Sequence, residues 1–233
     1  MKRFGFSLCV VLVFFSNAFC EGYTRDNTNI NVLQEKAKAG DAAAQAELGD
    51  RFALGRNGVD RDGTEAVKWF AKSAQQGNAD GEYFLGVMYE LGRGGLPRDV
   101  PTAIKWYDLA AKQGKVEAQF TLARIYDLGR SVPQDYVTAA RYYQEAAAKD
   151  QPTAEMRLAQ MYETGQGVAQ DYTTSMRWYL KLGDNSFAQY KIGTYYEQGF
   201  GVPKDRAKAL EWYRKAAAHG SGQAMMALKK LEN

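Results

Sequence analysis

Four carboxylates recur at nearly constant spacing along the chain, at Glu90, Asp127, Glu163 and Glu197. Carboxylate pairs are a common source of general acid–base catalysis, in which one group donates a proton and another accepts one. Each of these carboxylates occupies the same place in a successive copy of one sequence pattern. We therefore interpret them as a solvent-facing repetition and not as a catalytic pair.

Other residue types that support enzyme chemistry are few. The single histidine, His219, lies at a turn, where a lone histidine is far more often a capping or surface residue than a catalytic base. No cluster of cysteine and histidine offers zinc ligands. The glycine-rich stretch at residues 92–95 lacks the lysine and the serine or threonine of a phosphate-binding loop. The sequence therefore predicts a non-catalytic protein that holds no cofactor and no metal ion.

The elements that carry these residues repeat about every 36 positions. One landmark is an aliphatic–small–x–x–aromatic cluster, whose aliphatic members are Leu48, Leu85, Leu122, Leu158 and Ile192. The other is an aromatic pair: Trp69-Phe70, Trp106-Tyr107, Tyr142-Tyr143, Trp178-Tyr179 and Trp212-Tyr213. A single helical hairpin cannot bury its apolar face alone, whereas a row of stacked hairpins builds a continuous core. We predict an all-α, right-handed α/α solenoid.

The boundaries of the two helices in each repeat are marked by glycine and aspartate. A glycine that takes the left-handed conformation is expected to end each first helix, at Gly55, Gly92, Gly129, Gly165 and Gly199. An aspartate is expected to cap the N-terminus of each second helix, at Asp62, Asp99, Asp135, Asp171 and Asp205. These aspartates are therefore interpreted as structural. The rings of the aromatic pair are expected to fill the space between hairpins. Replacing Trp106 or Trp178 by alanine is expected to cost roughly 3–5 kcal/mol.

The fourth repeat departs from the period. Its aromatic pair and the next aliphatic residue, Trp178 and Ile192, are two residues closer than their counterparts in the other repeats. We expect its second helix to end early and the chain to kink near Gly183–Ser186.

The beginning of the chain resembles an export signal. Lys2 and Arg3 precede an uncharged, mostly apolar run over residues 4–19, and cleavage is expected between Cys20 and Glu21. An uncleaved membrane anchor and a lipoprotein anchored through Cys20 are the alternatives. Cleavage removes both cysteines and leaves 28 basic against 27 acidic residues, so no disulfide forms and nothing favours nucleic acid as a partner.

The expected organisation follows from these signals. It comprises a signal peptide over residues 1–20, a flexible leader over 21–31, a capping helix over 32–43, five repeats over 44–221 and a second capping helix over 222–233. The five repeats are expected at about 44–78, 79–115, 116–151, 152–185 and 186–221. The mature protein is expected to be periplasmic or secreted, without a membrane span, and a monomer.

Two stretches, GFGVPKDRAKALEWYRKAAAHGSGQA and YELGRGGLPRDVPTAIKWYDLAAKQG, resemble Sel1-like repeats, which are relatives of the tetratricopeptide repeats. The resemblance covers about residues 42–233. The chain departs from the family pattern in the loop of the third repeat, where Arg130-Ser131-Val132-Pro133 lacks the second glycine, and in the short fourth repeat. The resemblance implies a bacterial adaptor or scaffold that binds another protein. A periplasmic immunity protein that neutralises a secreted toxin, or an envelope hydrolase or its activator, is the alternative.

By analogy with tetratricopeptide arrays, the first helices line a concave groove, and three rows of residues point into it. The aromatic row is Ala46, Tyr83, Phe120, Met156 and Tyr190; the middle row is Asp50, Val87, Arg124, Gln160 and Thr194; the carboxylate row is Ala53, Glu90, Asp127, Glu163 and Glu197. Such a groove suits a protein or peptide segment with apolar and basic side chains, and the variable middle row is expected to determine specificity. The alternative is that the aromatic row packs neighbouring helices and the acidic residues belong to the repeat framework.

Overall fold

The computed structural model describes residues 29–232, which form twelve α-helices and contain no β-strand. The helices are α1 Ile30–Lys38, α2 Ala42–Leu54, α3 Gly63–Gln75, α4 Ala79–Leu91, α5 Val100–Lys112, α6 Val116–Leu128, α7 Tyr136–Ala147, α8 Pro152–Thr164, α9 Tyr172–Lys181, α10 Ser186–Gln198, α11 Arg206–Ala218 and α12 Gly222–Glu232. The expected signal peptide and most of the expected leader lie outside the described residues. None of the helices between residues 29 and 232 has the length and apolar character needed to cross a membrane.

The helices pair into five consecutive hairpins, α2–α3, α4–α5, α6–α7, α8–α9 and α10–α11, and each helix packs against the next one in the chain. Helix α1 precedes the first hairpin and α12 follows the last. The predicted all-α solenoid is confirmed. Helix α1 begins two residues before the expected position because the side chain of Asn29 caps it by accepting a hydrogen bond from the backbone N–H of Asn31.

The capping residues behave as the sequence predicts. All five glycines that follow the first helices have left-handed φ values, between 61° and 78°. All five aspartates accept hydrogen bonds from backbone N–H groups in the first turn of the second helix. The backbone of each aspartate is also hydrogen-bonded to the first helix of its repeat. The N–H of Asp62, for example, donates to the carbonyl of Phe52 at 2.8 Å. They are structural residues.

The core is built from the second ring of each aromatic pair. Phe70, Tyr107, Tyr143, Tyr179 and Tyr213 are buried. The tryptophans that precede most of these rings are only half-buried. The tyrosine or phenylalanine of each pair is therefore the ring that the core encloses, as expected of the pair, and the cost of replacing Trp106 or Trp178 stays a prediction.

The short fourth repeat is accommodated by a shorter helix. Helix α9 has ten residues, whereas the other second helices have twelve or thirteen. It ends at Lys181, with Leu182 as its C-terminal cap. The expected early end of this helix is confirmed, and the kink near Gly183–Ser186 stays a prediction.

Candidate partner-binding face

The aromatic row contributes mainly to packing. Tyr83 is only 1% exposed, and its ring lies 5.6 Å from that of Tyr107. Phe120 and Tyr190 are half-buried and pack in the same way against the second-helix rings of their own repeats. Tyr83 is therefore too enclosed to contact a partner, contrary to the expectation. Met156 is half-buried and packs against the core of the fourth and fifth repeats.

The middle row is more accessible and more varied. Arg124 is exposed, whereas Val87, Gln160 and Thr194 are half-buried. Thr194 donates a hydrogen bond from its hydroxyl to the backbone carbonyl of Tyr190 at 3.1 Å. In the first repeat the same position holds a carboxyl group, Asp50, and its burial raises its pKa. The row thus presents aliphatic, basic, amide and hydroxyl groups at one repeated position.

The carboxylate row is bound by tyrosine hydroxyl groups. Tyr107 donates to Glu90 at 2.6 Å, Tyr143 to Asp127 at 3.1 Å and Tyr179 to Glu163 at 2.9 Å. Tyr213 donates to Glu197 in the same way. Burial raises the pKa of all four tyrosines, and the neighbouring carboxylate raises it further.

The interpretation of these carboxylates as solvent-facing is therefore wrong, most clearly for Asp127, which is only 8% exposed. In the first repeat both partners are replaced together, by Ala53 and Phe70. The hydroxyl donor and its acceptor thus occur together or not at all within this chain.

Two of the carboxylates also bind a cation from the following repeat. Arg157 contacts both oxygens of Asp127, with each nitrogen–oxygen distance at 2.7 Å. The hydrogen bond to Asp127 raises the pKa of the Arg157 guanidinium. Lys191 lies 2.7 Å from Glu163. Each cation stands immediately before the aliphatic landmark of its repeat, so the sequence signal was present, but its partner lies about 30 residues away.

The same position holds no cation elsewhere. In the repeat after Glu90 this position holds Thr121, and in the helix after Glu197 it holds Ala227. Within the described part of the chain, Glu90 and Glu197 accordingly form no ion pair. Each of these two carboxylates accepts a hydrogen bond from the tyrosine of its own hairpin.

A second buried polar row was missed by sequence reasoning. It lies three residues before each aliphatic landmark and consists of Gln45, Glu82, Gln119, Glu155 and Gln189. Most of these side chains form a hydrogen bond with a residue at the end of the second helix of their own repeat. Gln45 accepts from Gln76 at 2.7 Å, and Gln189 lies 2.9 Å from His219. The lone histidine is thus a helix cap that binds a buried amide. The recurrence of Gln or Glu at one offset is the signal that would have revealed this row.

A cleft lies where the last hairpin meets α12. It is lined by residues that include Tyr190, Thr194, Glu197, Tyr213, Met226 and Lys230. We call it the C-terminal cleft. It brings together one predicted site residue from each of the three rows and adds side chains from α12. Among residues 29–232, no three His, Cys, Asp or Glu side chains gather as they would around a metal ion.

The repeat pattern and the hairpin geometry agree with a known family. A family model described as Sel1 repeat matches the chain over residues 42–78, 79–115, 116–151, 152–187 and 186–221. The chain belongs to the Sel1 repeat family. These matches begin two residues before the expected start of the first repeat and extend two residues past the expected end of the fourth.

Solved structures of Sel1 repeat proteins are similar to this one. A protective antigen of uropathogenic Escherichia coli strains, described as displaying an SLR fold, is 36% identical with a TM-score of 0.78, and the match covers 85% of this chain and 43% of the antigen. This Sel1 repeat protein therefore spans less than half the length of that antigen. A Sel1 repeat protein from Oxalobacter formigenes is 28% identical with a TM-score of 0.72, covering 85% of this chain and 82% of that one.

More distant structures also match. An immunity protein from Pseudomonas aeruginosa is 21% identical with a TM-score of 0.42, and the match covers 78% of this chain and 67% of that one. A likeness this low carries no inference about function. No curated protein matches the chain.

Proposed function

We propose that this Sel1 repeat protein is an exported, non-catalytic adaptor that binds a protein partner on the face formed by its middle and carboxylate rows. Stacked repeats create an extended surface in which one position per repeat is presented at regular intervals. Such a surface suits a polypeptide segment better than a small molecule. The family as a whole consists of repeat scaffolds, which supports this choice.

The observation that carries the proposal is the contrast between a constant framework and a variable row. The glycine and aspartate caps recur in all five repeats, and the tyrosine–carboxylate bond recurs in four. The middle row lies beside the carboxylate row yet changes from Val87 to Arg124, Gln160 and Thr194. Variation at an accessible position within a constant framework is typical of residues that select a partner.

A crosslinking pull-down tests the proposal. The full chain would be crosslinked in intact cells that naturally produce it, and the partner identified by mass spectrometry. Arg124→Glu is expected to reduce recovery of that partner several-fold, because Arg124 is exposed in the middle row. Arg177→Glu, at an exposed position on the second helix α9, is the matched control. Equal recovery with both variants would contradict the proposal.

Charge reversal of Glu163 is a poor test of binding. Glu163 accepts from Tyr179 and pairs with Lys191, so its replacement by lysine would place two cations together and destabilise the fold. Arg124 avoids this problem because it forms no ion pair in the described residues. Recovery of a secreted toxin as the crosslinked partner would select the immunity function over a general adaptor.

Export is the second part of the proposal and depends on residues 1–20. The basic start and apolar run support it. Expression of the full chain in a bacterial host, followed by fractionation and intact-mass measurement, is expected to give a periplasmic or secreted product that begins at Glu21. A cytoplasmic product that retains residues 1–20 would contradict export.

A further inference from the structure

We propose that Glu197, in the C-terminal cleft, binds an arginine or lysine side chain of the partner. This inference rests on the proposed function, because it assigns a chemical class to one part of the partner segment. It commits to a polypeptide occupant that carries a basic residue next to an apolar residue.

The chain itself shows what this carboxylate position binds. In the third repeat, Oδ2 of Asp127 accepts from both the hydroxyl of Tyr143 and Nε of Arg157, and Oδ1 accepts from Nη2 of Arg157. In the fourth repeat, Glu163 accepts from Tyr179 through one oxygen and from Lys191 through the other. In both repeats the carboxylate thus accepts hydrogen bonds from a tyrosine hydroxyl and from a cationic side chain at the same time.

The fifth repeat has the first half of this arrangement and lacks the second. Tyr213 donates to Oε2 of Glu197 as the equivalent tyrosines do. Ala227 occupies the position of Arg157 and Lys191, so the following helix supplies no cation there. Both Glu197 and Ala227 line the C-terminal cleft. The cleft therefore has room for a cationic side chain of another molecule to bind Glu197.

Glu90 also has no cation from the next repeat but is a weaker candidate. The exposed guanidinium of Arg124 lies near enough to Tyr83 and Tyr107 to influence both, so its positive charge reaches the surroundings of Glu90. In the fifth repeat the ionisable groups that raise the pKa of Tyr213 are Glu197 and Tyr190. Glu197 is therefore the stronger candidate, because it lacks a cation from the next repeat and lines an open cleft.

The cleft also offers apolar surface for a neighbouring side chain. Met226, which lines it, is 68% exposed, and the ring of Tyr190 lines the same cleft and is half-buried. Methionine is flexible and polarisable, and it adapts to different apolar partners. Lys230 lines the cleft as well, and its positive charge would repel a second cation. These contacts favour a single basic residue flanked by an apolar residue over a run of basic residues.

Selection from a random library of twelve-residue peptides displayed on phage, using the immobilised full-length protein, tests the inference. Enriched peptides are expected to contain arginine or lysine beside an apolar residue. Synthetic versions with that arginine replaced by citrulline, which keeps the shape and removes the charge, are expected to bind at least tenfold more weakly in fluorescence anisotropy. Glu197→Gln is expected to weaken the arginine peptide by a similar factor and the citrulline peptide much less.

Three further variants separate charge from shape. Ala227→Lys supplies the cation from within the chain and is expected to weaken the arginine peptide, while Ala227→Gln, of similar size but neutral, weakens it less. Lys230→Gln is expected to leave the affinity unchanged or to increase it, because it removes a competing positive charge. Circular dichroism confirms that each variant is folded.

The outcomes distinguish this inference from the proposed function. Enriched peptides without a basic residue, or arginine peptides that bind Glu197→Gln within twofold of the wild type, overturn the inference. If such peptides still lose binding in Arg124→Glu, the proposed function stands. Failure to enrich any peptide, or binding that no substitution in the middle or carboxylate row changes, counts against both.

Discussion

Arg157 in the fourth repeat binds both carboxylate oxygens of Asp127 in the third, at 2.7 Å each. Asp127 is buried and also accepts a hydrogen bond from Tyr143. The two repeats are thus joined by a charged contact that lies beside the proposed binding surface. Because repeat proteins are stabilised by neighbour-to-neighbour interfaces, this contact is expected to strengthen the coupling between the third and fourth repeats.

Replacing Arg157 by methionine tests that coupling. Methionine keeps most of the side-chain volume but leaves Asp127 buried without its cation. Hydrogen bonds to charged groups contribute about 1.5–3 kcal/mol, and we expect a loss of that size in the free energy of unfolding, measured by urea denaturation. Lys112→Met is the control, because Lys112 pairs with Asp108 while 70% exposed, and such pairs contribute at most about 1 kcal/mol. Equal losses in both variants would show that the buried pair has no special role.

The tyrosine–carboxylate hydrogen bond can be introduced into the first repeat, which lacks it, by two substitutions. Phe70→Tyr alone places a hydroxyl in a buried position without an acceptor, which costs about 1–3 kcal/mol. Ala53→Glu supplies the acceptor that the other four repeats have. We expect the double variant to recover most of the loss, so that the double-mutant cycle gives a favourable coupling free energy. Additive effects of the two substitutions would contradict this expectation.

Close packing of glycine against the core rings gives a third prediction. A Cβ atom at Gly86 would lie 2.7 Å from the ring of Tyr107, which is too close for carbon atoms. Gly86→Ala is therefore expected to lower the melting temperature, although alanine favours helices over glycine by about 1 kcal/mol. Gly222→Ala, at the start of α12 where nothing lies within 4 Å, is expected to leave the melting temperature unchanged or raise it.

Acid should destabilise the protein through its helix caps. The pKa values of Asp99, Asp135 and Asp171 are lowered, first by the hydroxyl group of a threonine three residues later and then by backbone N–H groups. A carboxyl group with a lowered pKa in the folded state stabilises the fold above its unfolded pKa, about 3.9, and loses that contribution as the pH falls through the folded value. Urea midpoints followed by circular dichroism are expected to be constant from pH 7 to 5 and to fall below about pH 4.

Removing the hydroxyl groups checks the cause of this pH dependence. The combined variant Thr102→Val, Thr138→Val and Thr174→Val is expected to be less stable at pH 7 and to lose less stability between pH 5 and 3. Thr64→Val is the control, because Glu65 stands three residues after Asp62, where Asp99, Asp135 and Asp171 have threonine. An unchanged slope in the combined variant would show that the threonines do not set the pKa values.

Much of the fold was predictable because its signals are local and repeated. The left-handed glycine at the end of a helix and the aspartate at the start of the next act within a few residues, and five copies at one period confirm each other. The shortened helix α9 was predictable for the same reason, from the reduced spacing between Trp178 and Ile192. The resemblance to Sel1 repeats rests on these same positions.

The site was predicted less well, because burial of a polar side chain depends on atoms from other helices. The spacing of the carboxylate row placed its members correctly on the first helices. It did not show that a tyrosine about 16 residues later would bind each one, or that Arg157 would reach Asp127 from 30 residues away. The aromatic row failed similarly, since Tyr83 is enclosed by a neighbouring ring.

By itself, the sequence determined the number of repeats, their helix boundaries and the all-α architecture, because in a solenoid each unit contacts only its neighbours and local signals suffice. Only the tertiary structure decided which carboxylates bind a cation of the next repeat, as Asp127 and Glu163 do, and that Glu197, which lacks one, lines a cleft. The physical reason is that the rotation of each helix and the stacking of adjacent repeats set the distances between charged groups, and charge balance depends on those distances.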